Sequence, residues 1–415
     1  MDFYGHIIDG EEVPSLDGAT MDDINPFTRE PWALVACGGK ADADRAVAAA
    51  REAFDEGPWP RMGYENRQTI LHRLADLMDE HAAELAMADT RDMGKPLTQA
   101  LADVARSSWN VRFFADHARL SMGDAYPMDS GHHAYARFDP VGVAVAISPW
   151  NFPLMLGTWK VAPALAWGNT VVMKPAEDTP VSATLWARLA LEAGMPPGVL
   201  NVVHGYGPDS AGAALTAHPD VDRITFTGES GTGKVISGAA SSHLVPVSLE
   251  LGGKGANIVF DDAEIDNAVH WAVQAIFRNA GQICLSGSRL YLQAGIYDAF
   301  VERFVTAAEA LRAGDPKEPE TEFPLALASE EHYRKVSGYL DTVQEDGGRI
   351  LTGGLGEGWS VLPTIIVDAP PTARVCREEI FGPVCVVQRF ESEDEAVAAA
   401  NDTRYGLNAM VFTEN

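Results

Sequence analysis

Several functional classes are excluded by what this chain has little of. Its 415 residues contain four cysteines (Cys37, Cys284, Cys376 and Cys385), with no CxxC pair and no Cys/His cluster. That excludes a disulfide framework and argues against structural zinc, so no metal is expected. Positive charge is also scarce: 31 basic residues, 8 of them lysine, face 59 acidic ones, for a net charge of -28. Such a surface repels nucleic acid and anionic lipid, and neither is expected as a partner. No uninterrupted apolar run is long enough to cross a bilayer. The start, Met1-Asp2-Phe3-Tyr4-Gly5-His6, has neither the basic nor the apolar region of a secretory leader, so the expected location is the cytoplasm. What is present, 46% hydrophobic and 22% charged residues, describes an ordinary globular chain long enough for two or three domains.

The order of patterns predicts an α/β protein. Between 41 and 120 alanine- and leucine-rich stretches recur at helical spacing, over Asp44–Phe54, Arg67–Met93 and Leu97–Leu120. From Val141 short β-rich runs alternate with helices: Val141–Ile147, a helix near Pro153–Trp167, Thr170–Met173, a helix Val181–Ala193, Val199–Val203, Arg223–Phe226, a helix from about Gly231, and Val245–Leu249. This alternation predicts a parallel sheet with helices on its faces. A second α/β unit begins at Asn257, with helices at Ile265–Asn279 and Tyr297–Leu311 and strands near Arg289–Leu292, Ile350–Leu351, Thr364–Val367 and Val384–Gln388. Residues 121–139 break the alternation with turn formers and read as an excursion.

Ligands of such sheets lie beyond the carboxyl ends of the strands, so the residues just after each run carry the functional information. Lys174 and Glu177 follow Thr170–Met173; there a lysine donates to, and a carboxylate accepts from, the vicinal hydroxyls of a ribose, and the carboxylate favours NAD over NADP. The same pair also fits an ordinary surface ion pair. Gly228–Lys234 matches G-x-x-x-x-G-K, but Val235 stands where magnesium binding needs a hydroxyl. Nucleotide hydrolysis, with Asp261 or Asp262 as its acidic partner, is the rival to a dinucleotide pyrophosphate site built on the same glycines and helix N-terminus. Asn151, in a proline-bounded loop, is either an oxyanion donor or a turn asparagine. Cys284 follows Asn279-Ala280-Gly281-Gln282-Ile283, and Glu250 heads Glu-Leu-Gly-Gly-Lys 34 positions earlier. They suit a nucleophile and a base, although the commoner fate of a free cysteine is that of a small buried hydrophobe. His132-His133 reads as a solvated turn, and Cys376 and Cys385 as structural.

Taken together, Asn25–Thr28, Ser148–Pro153, Lys174–Glu177, Phe226–Gly228, Glu250–Lys254, Asn279–Cys284, Glu379–Pro383 and Tyr405–Leu407 resemble the aldehyde dehydrogenase superfamily over nearly the whole chain. The resemblance implies a Rossmann-like NAD-binding domain (1–120 and 140–250), an α/β catalytic domain (251–415) and a small β-arm for oligomerisation that includes 121–139. It implies NAD-dependent oxidation of a small-molecule aldehyde to the acid. In that mechanism Cys284 attacks, Asn151 and the Cys284 N–H hold the oxyanion, and Glu250 activates water. Cofactor contacts implied by the likeness are Ile147, Ser148, Trp150, Lys174, Glu177, Gly228, Glu229, Gly252, Glu379 and Phe381. On the substrate side they are Leu285 and Arg112, the latter resembling an arginine of muconic-semialdehyde dehydrogenases that binds a substrate carboxylate. A helix-surface arginine is the other reading of Arg112.

The chain departs from the family at two places. Glu229 replaces the serine that often follows Phe-Thr-Gly, which passes the pyrophosphate contact to backbone N–H groups. Relatives also continue for several tens of residues beyond the position of Asn415, supplying pocket wall and arm strand. Without that part an exposed sheet edge and an open pocket are expected, together with a catalytically impaired NAD-binding descendant as the alternative function. With it the likeness implies a homodimer or homotetramer.

Overall fold

The computed structural model describes residues 1–121 and 123–415, so one residue of the 121–139 excursion, Met122, lies outside the described residues. The chain forms two compact units. The first comprises Met1–Ile24, Pro31–Asp92 and Ala100–Glu250; the second comprises Asn25–Glu30, Met93–Gln99 and Leu251–Asn415. Residues 25–30 and 93–99 therefore cluster with the later part of the chain, unlike the expected division, which kept all of 1–120 together.

In the first unit a seven-stranded sheet runs in the order Val247–Glu250, Arg223–Thr227, Val143–Ile147, Thr170–Lys174, Leu200–Val202, His6–Ile8, Glu11–Val13. The first five are mutually parallel and the last two antiparallel. Val143–Ile147 and Thr170–Lys174 are buried at every position, which explains their continuous apolar runs. Because Val143–Ile147 lies between a strand that follows it directly and one that comes much later, the strand order reverses there. This makes a topological switch point, and the crevice at its carboxyl end is where open α/β sheets hold ligands.

The N-terminal segment adds more strands than its sequence pattern reveals. Asp2–Tyr4, Glu30–Ala36 and Thr20–Asn25 form a separate three-stranded sheet. His6, fully buried, stacks on His204 with ring centroids 5.8 Å apart, and its Nδ1 accepts from the His204 N–H at 3.1 Å. The Thr184 hydroxyl lies 2.7 Å from His204 Nε2, and Asp42 lies 3.9 Å from His6 Nε2. Burial lowers the pKa of both rings, that of His204 well below its usual value. Burial pushes the Asp23 carboxyl up to about 7, and Asp92 is raised well above the usual carboxylate value by burial and then by Asp23.

The run expected as one helix over Arg67–Met93 is two, Tyr64–Glu80 and Ala82–Met93, broken at His81. The excursion contains a short antiparallel pair, Ala125–Tyr126 with Ala134–Tyr135.

The second unit is built on a six-stranded sheet in the order Arg349–Leu355, Val361–Val367, Val384–Phe390, Arg289–Gln293, Ala256–Val259, Ala409–Phe412, parallel except for the first strand. The helices Ile265–Phe277 and Tyr297–Glu309 bury Phe277, Phe300 and Phe304 in its core with Phe323, Val336 and Ile365. Helices Glu330–Leu340 and Glu393–Asn401, not evident from the sequence, begin at Ser329 and Ser392, whose hydroxyls each cap a backbone N–H.

Candidate active site

The first unit carries one set of candidate residues at the carboxyl ends of its parallel strands. Ser148 follows the switch strand, and its N–H donates to the Lys174 carbonyl at 3.1 Å. Its hydroxyl is buried and meets no hydrogen-bond partner among the described residues, an orphan that a ligand in the crevice would satisfy. Lys174 is 3% exposed, and its Nζ donates to the Pro175 carbonyl at 2.9 Å and to Glu177 Oε2 at 3.2 Å. Glu177 remains half-buried. A buried ammonium holding a solvent-reachable carboxylate differs from an ordinary surface ion pair: the carboxylate is positioned and can still accept from a ribose. Ile147 ends the switch strand, and Trp150 and Asn151 occupy the loop after it, Asn151 buried just ahead of the helix Pro153–Ala166.

Gly228, whose N–H donates to the Glu250 carbonyl at 3.1 Å, leads into the 12-residue helix Ser230–Ser241, with Glu229 at its N-cap. The helix N-terminus thus opens at the end of the sheet that also carries Ser148 and Lys174, as a dinucleotide pyrophosphate requires. The nucleotide-hydrolase reading fares worse. Val235 is 72% exposed where a metal-binding hydroxyl is needed, and Asp262 is engaged by the Thr413 hydroxyl and the Glu414 N–H. Among the described residues no group of three or more His, Cys, Asp or Glu side chains is placed to hold a metal ion.

A residue the sequence reading passed over stands beside Glu250. Lys160, in the otherwise apolar helix Pro153–Ala166, is 7% exposed, and its ammonium donates to the Thr227 hydroxyl. Burial lowers its pKa to about 8, an effect the Glu250 carboxylate partly offsets. A single lysine in an apolar helix was the available signal.

Arg112 fits its helix-surface reading. Its guanidinium pairs with Asp76 at 2.6 Å and Asp79 at 2.8 Å on the helix Tyr64–Glu80, so its charge is already met by two carboxylates. Further up the same helix, Leu97–Ala118, Arg106 is exposed and lies 4.3 Å over the ring of Trp109. Trp109 stacks in turn on Phe113 at 5.2 Å, and both rings are more than 40% exposed. The Asn110 amide, one residue after Trp109 and buried, donates to the Thr158 hydroxyl at 3.2 Å.

The second unit carries the remaining candidates. The expected helix over Ile265–Asn279 ends at Phe277, and Asn279, Ala280 and Gly281 follow with φ of 50°, 53° and 69°. Three consecutive left-handed residues are rare, and for Ala280 the conformation is unfavourable by about 1–2 kcal/mol. At Gly281 a Cβ would also strike the carbonyl of Gly382. Cys284 leaves this turn half-exposed, followed by Leu285, 46% exposed, whose carbonyl accepts from the Asn408 amide at 2.9 Å. The turn packs against Glu379–Val384: Gly281, Ile283 and Ser286 share one small cavity with Glu379, Phe381 and Gly253.

The Gly-Gly after Glu250 now has a physical reason. A Cβ at Gly252 would collide with the Glu379 carboxylate, and one at Gly253 would lie 2.8 Å from the Cys284 carbonyl. The Glu379 carboxylate accepts from the Gly253 N–H at 3.0 Å. Phe381 is left-handed as well, at φ 61°, and His332 Nε2 meets its carbonyl at 2.7 Å. Lys254 is buried with no hydrogen-bond partner for its amine among the described residues, and burial lowers its pKa to about 8. Cys376 and Cys385 are buried with their pKa values raised by burial, Cys385 to about 12.

Residues 13–415 match the model of the aldehyde dehydrogenase family. The chain is 45% identical to 2-hydroxymuconic semialdehyde dehydrogenase of Pseudomonas sp. (strain CF600), over 99% of this chain and 87% of that protein. It is 44% identical to human mitochondrial aldehyde dehydrogenase, over 98% and 80%. Among solved structures, PnpE in complex with nicotinamide adenine dinucleotide superposes with a TM-score of 0.97 at 44% identity, covering 99% of this chain and 85% of that one. The chain belongs to the aldehyde dehydrogenase family, with the NAD-dependent oxidation of an aldehyde as its activity.

Proposed function

We propose that the aldehyde is one carrying a carboxylate, a semialdehyde, and that Cys284, Asn151 and Glu250 perform its oxidation. As a thiolate, Cys284 Sγ attacks the aldehyde carbon; the C–S bond forms and the carbonyl π pair moves to oxygen. The Asn151 amide and the Cys284 N–H donate to that oxygen. NAD, when bound, supplies the hydride acceptor. Once the hydride has left the carbon, a thioester remains on Sγ. Glu250 takes a proton from water, the new C–O bond forms, the C–S bond breaks and the acid departs.

In this reading Lys174 and Glu177 hold the adenine ribose, Ile147, Ser148 and Trp150 line the crevice, and Gly228 with the backbone from Glu229 receives the pyrophosphate. Glu379 takes the nicotinamide ribose and Phe381 borders the ring, with Gly252 leaving room for Glu379. The unit ending at Glu250 is then the NAD-binding domain and the other the catalytic domain.

The observation behind the substrate class is Arg106 over Trp109. An exposed guanidinium with no carboxylate partner among the described residues, set on the stacked and exposed rings of Trp109 and Phe113, suits an unsaturated or aromatic substrate ending in a carboxylate. The 2-hydroxymuconic relative agrees with it. In a comparison of a semialdehyde with its methyl ester, kcat/KM should favour the acid by about tenfold or more. Arg106→Leu should erase that preference and Arg112→Leu should leave it. Equal use of acid and ester by the unaltered chain would remove the assignment.

The pair Ala125–Tyr126/Ala134–Tyr135 presents Tyr126, Met128, Tyr135 and Phe138, all at least 49% exposed. This supports a contact between copies of the chain. Sedimentation of a chain with these four changed to serine should show a smaller assembly; an unchanged species would end that reading.

A further inference from the structure

We infer that Gln99 is a positioning residue for the nucleophile, resting on the reading of Cys284 above. The turn that presents Cys284 is a left-handed run, Asn279 to Gly281, fully buried. Such a run persists only where its surroundings over-determine it. Its interior clamps come from its own sequence: the Gln282 N–H and side-chain amide both donate to the Asn279 carbonyl, at 3.1 and 3.0 Å, and the Ser286 hydroxyl donates to the Gly281 carbonyl at 3.1 Å. Gln282 is itself tied down, its Oε1 accepting from the Ala328 N–H at 3.0 Å.

The entrance to the turn is held from far away in sequence. The Asn279 N–H donates to Gln99 Oε1 at 3.2 Å, and Gln99 Nε2 donates to the Glu322 carbonyl at 3.0 Å. One primary amide thus spans two segments, its oxygen on the residue where the chain turns left-handed and its nitrogen on a second anchor. Gln99 sits in the first turn of the helix Leu97–Ala118, and the Leu97 N–H donates to the Pro316 carbonyl at 2.7 Å, so its own base is fixed. The side chain also lines a cavity of about 320 Å³ with Phe277, Arg278, Arg312 and Glu322. Solvent can enter if Gln99 is shortened, so its loss frees the turn without collapsing the packing.

The test uses three variants of the full chain with saturating NAD and the aldehyde the unaltered protein turns over fastest. Gln99→Met keeps the length and loses both bonds; Gln99→Glu keeps an acceptor for the Asn279 N–H, loses the donation to Glu322, and places its carboxylate among Arg278 and Arg312. Gln99→Met is expected to lower kcat by about tenfold to a hundredfold, the loss that follows displacement of a reacting group by a fraction of an ångström. Its KM for NAD should stay within about twofold, and the rate at which iodoacetamide labels the Cys284 peptide should change in parallel with kcat. Gln99→Glu is expected to recover kcat to within about threefold. If Gln99→Met yields no folded protein, Gln99→Asn, too short to span both anchors, carries the test with the same expectation. Wild-type kcat in the shortened or apolar variant, or an equal loss in Gln99→Glu, overturns the inference. Cys284→Ala separates the two levels: if it still turns over, the nucleophile assignment has failed, and if it does not while Gln99→Met is normal, only the positioning role has.

Discussion

The two units build their candidate residues by opposite means. In the first, Ser148, Lys174, Gly228 and Glu250 stand at the carboxyl ends of regular parallel strands, and their positions follow from sheet register. In the second, Phe381 is itself left-handed and Cys284 follows the left-handed run Asn279–Gly281; no sheet register enforces that backbone, and side chains from distant segments, Gln99 and His332, hold it. A site for a large cofactor can use the regular end of a sheet, which offers many donors over a wide face. A single reacting sulfur needs one backbone conformation, and strain fastened by amides excludes the alternatives.

Substitutions should separate the two. The largest effect is expected at the sulfur: Cys284→Ala should lower turnover at least about a thousandfold with NAD affinity, read by fluorescence titration, unchanged; weakened NAD binding would mean the residue serves the fold. Next is Gly281→Ala, which combines a left-handed Cβ with a collision against Gly382. Stability should drop by about 2–4 kcal/mol in denaturant titration, with kcat falling in the fraction that remains folded; a neutral result would show that the turn relaxes freely. In the first unit, Glu177→Gln should raise the KM for NAD about fivefold to tenfold and leave kcat at saturating NAD within about twofold, since one charged acceptor is lost from a rigid frame. A fall in kcat alone would break the contrast.

The smallest effects should appear in the two buried lysines, one in each unit. Lys160 and Lys254 both have pKa values lowered to about 8 by burial, from the usual value of 10.5. Between those values the unfolded chain holds the protons and the folded chain does not, so both lysines make stability rise with pH from about 8 to 10.5. Below about 8 both are charged while buried, and the folded state bears the penalty. Lys160→Met and Lys254→Met should each flatten the rise of the melting temperature with pH, whereas only Lys160→Met should impair thioester hydrolysis, because only Lys160 adjoins Glu250 and Thr227. Loss of hydrolysis in both would place Lys254 in the chemistry.

Much of the first unit was legible because buried parallel strands write themselves as unbroken apolar runs, as in Val-Ala-Val-Ala-Ile and Thr-Val-Val-Met-Lys. The N-terminal strands were not: Asp2–Tyr4 and His6–Ile8 have three residues each, and Thr20–Asn25 lacks apolar alternation because Asp23 fills one of its buried positions. Nor did anything mark the break at His81, where neither glycine nor proline interrupts the pattern. Cys284, Glu250 and Asn151 could be named from spacing and likeness. Gln99 could not, since a glutamine in the first turn of a helix carries no sign of a partner 180 positions away. The acids that pair with Arg112, Asp76 and Asp79, lie on another helix, so its own helix gives no sign of them.

The stacked imidazoles of His6 and His204 give the enzyme a weak point in acid. Burial lowers the pKa of both, with Asp42 favouring the charged state of His6 while Arg45 opposes it, and His6 and then Lys174 opposing that of His204. An unfolded chain takes up those two protons as the medium drops below the usual histidine value of 6.5, so the native form loses ground there. Souring should therefore unzip the outermost antiparallel strands first and then the neighbour of the strand that carries Lys174. Grip on the dinucleotide would fade before the sulfur loses its reactivity.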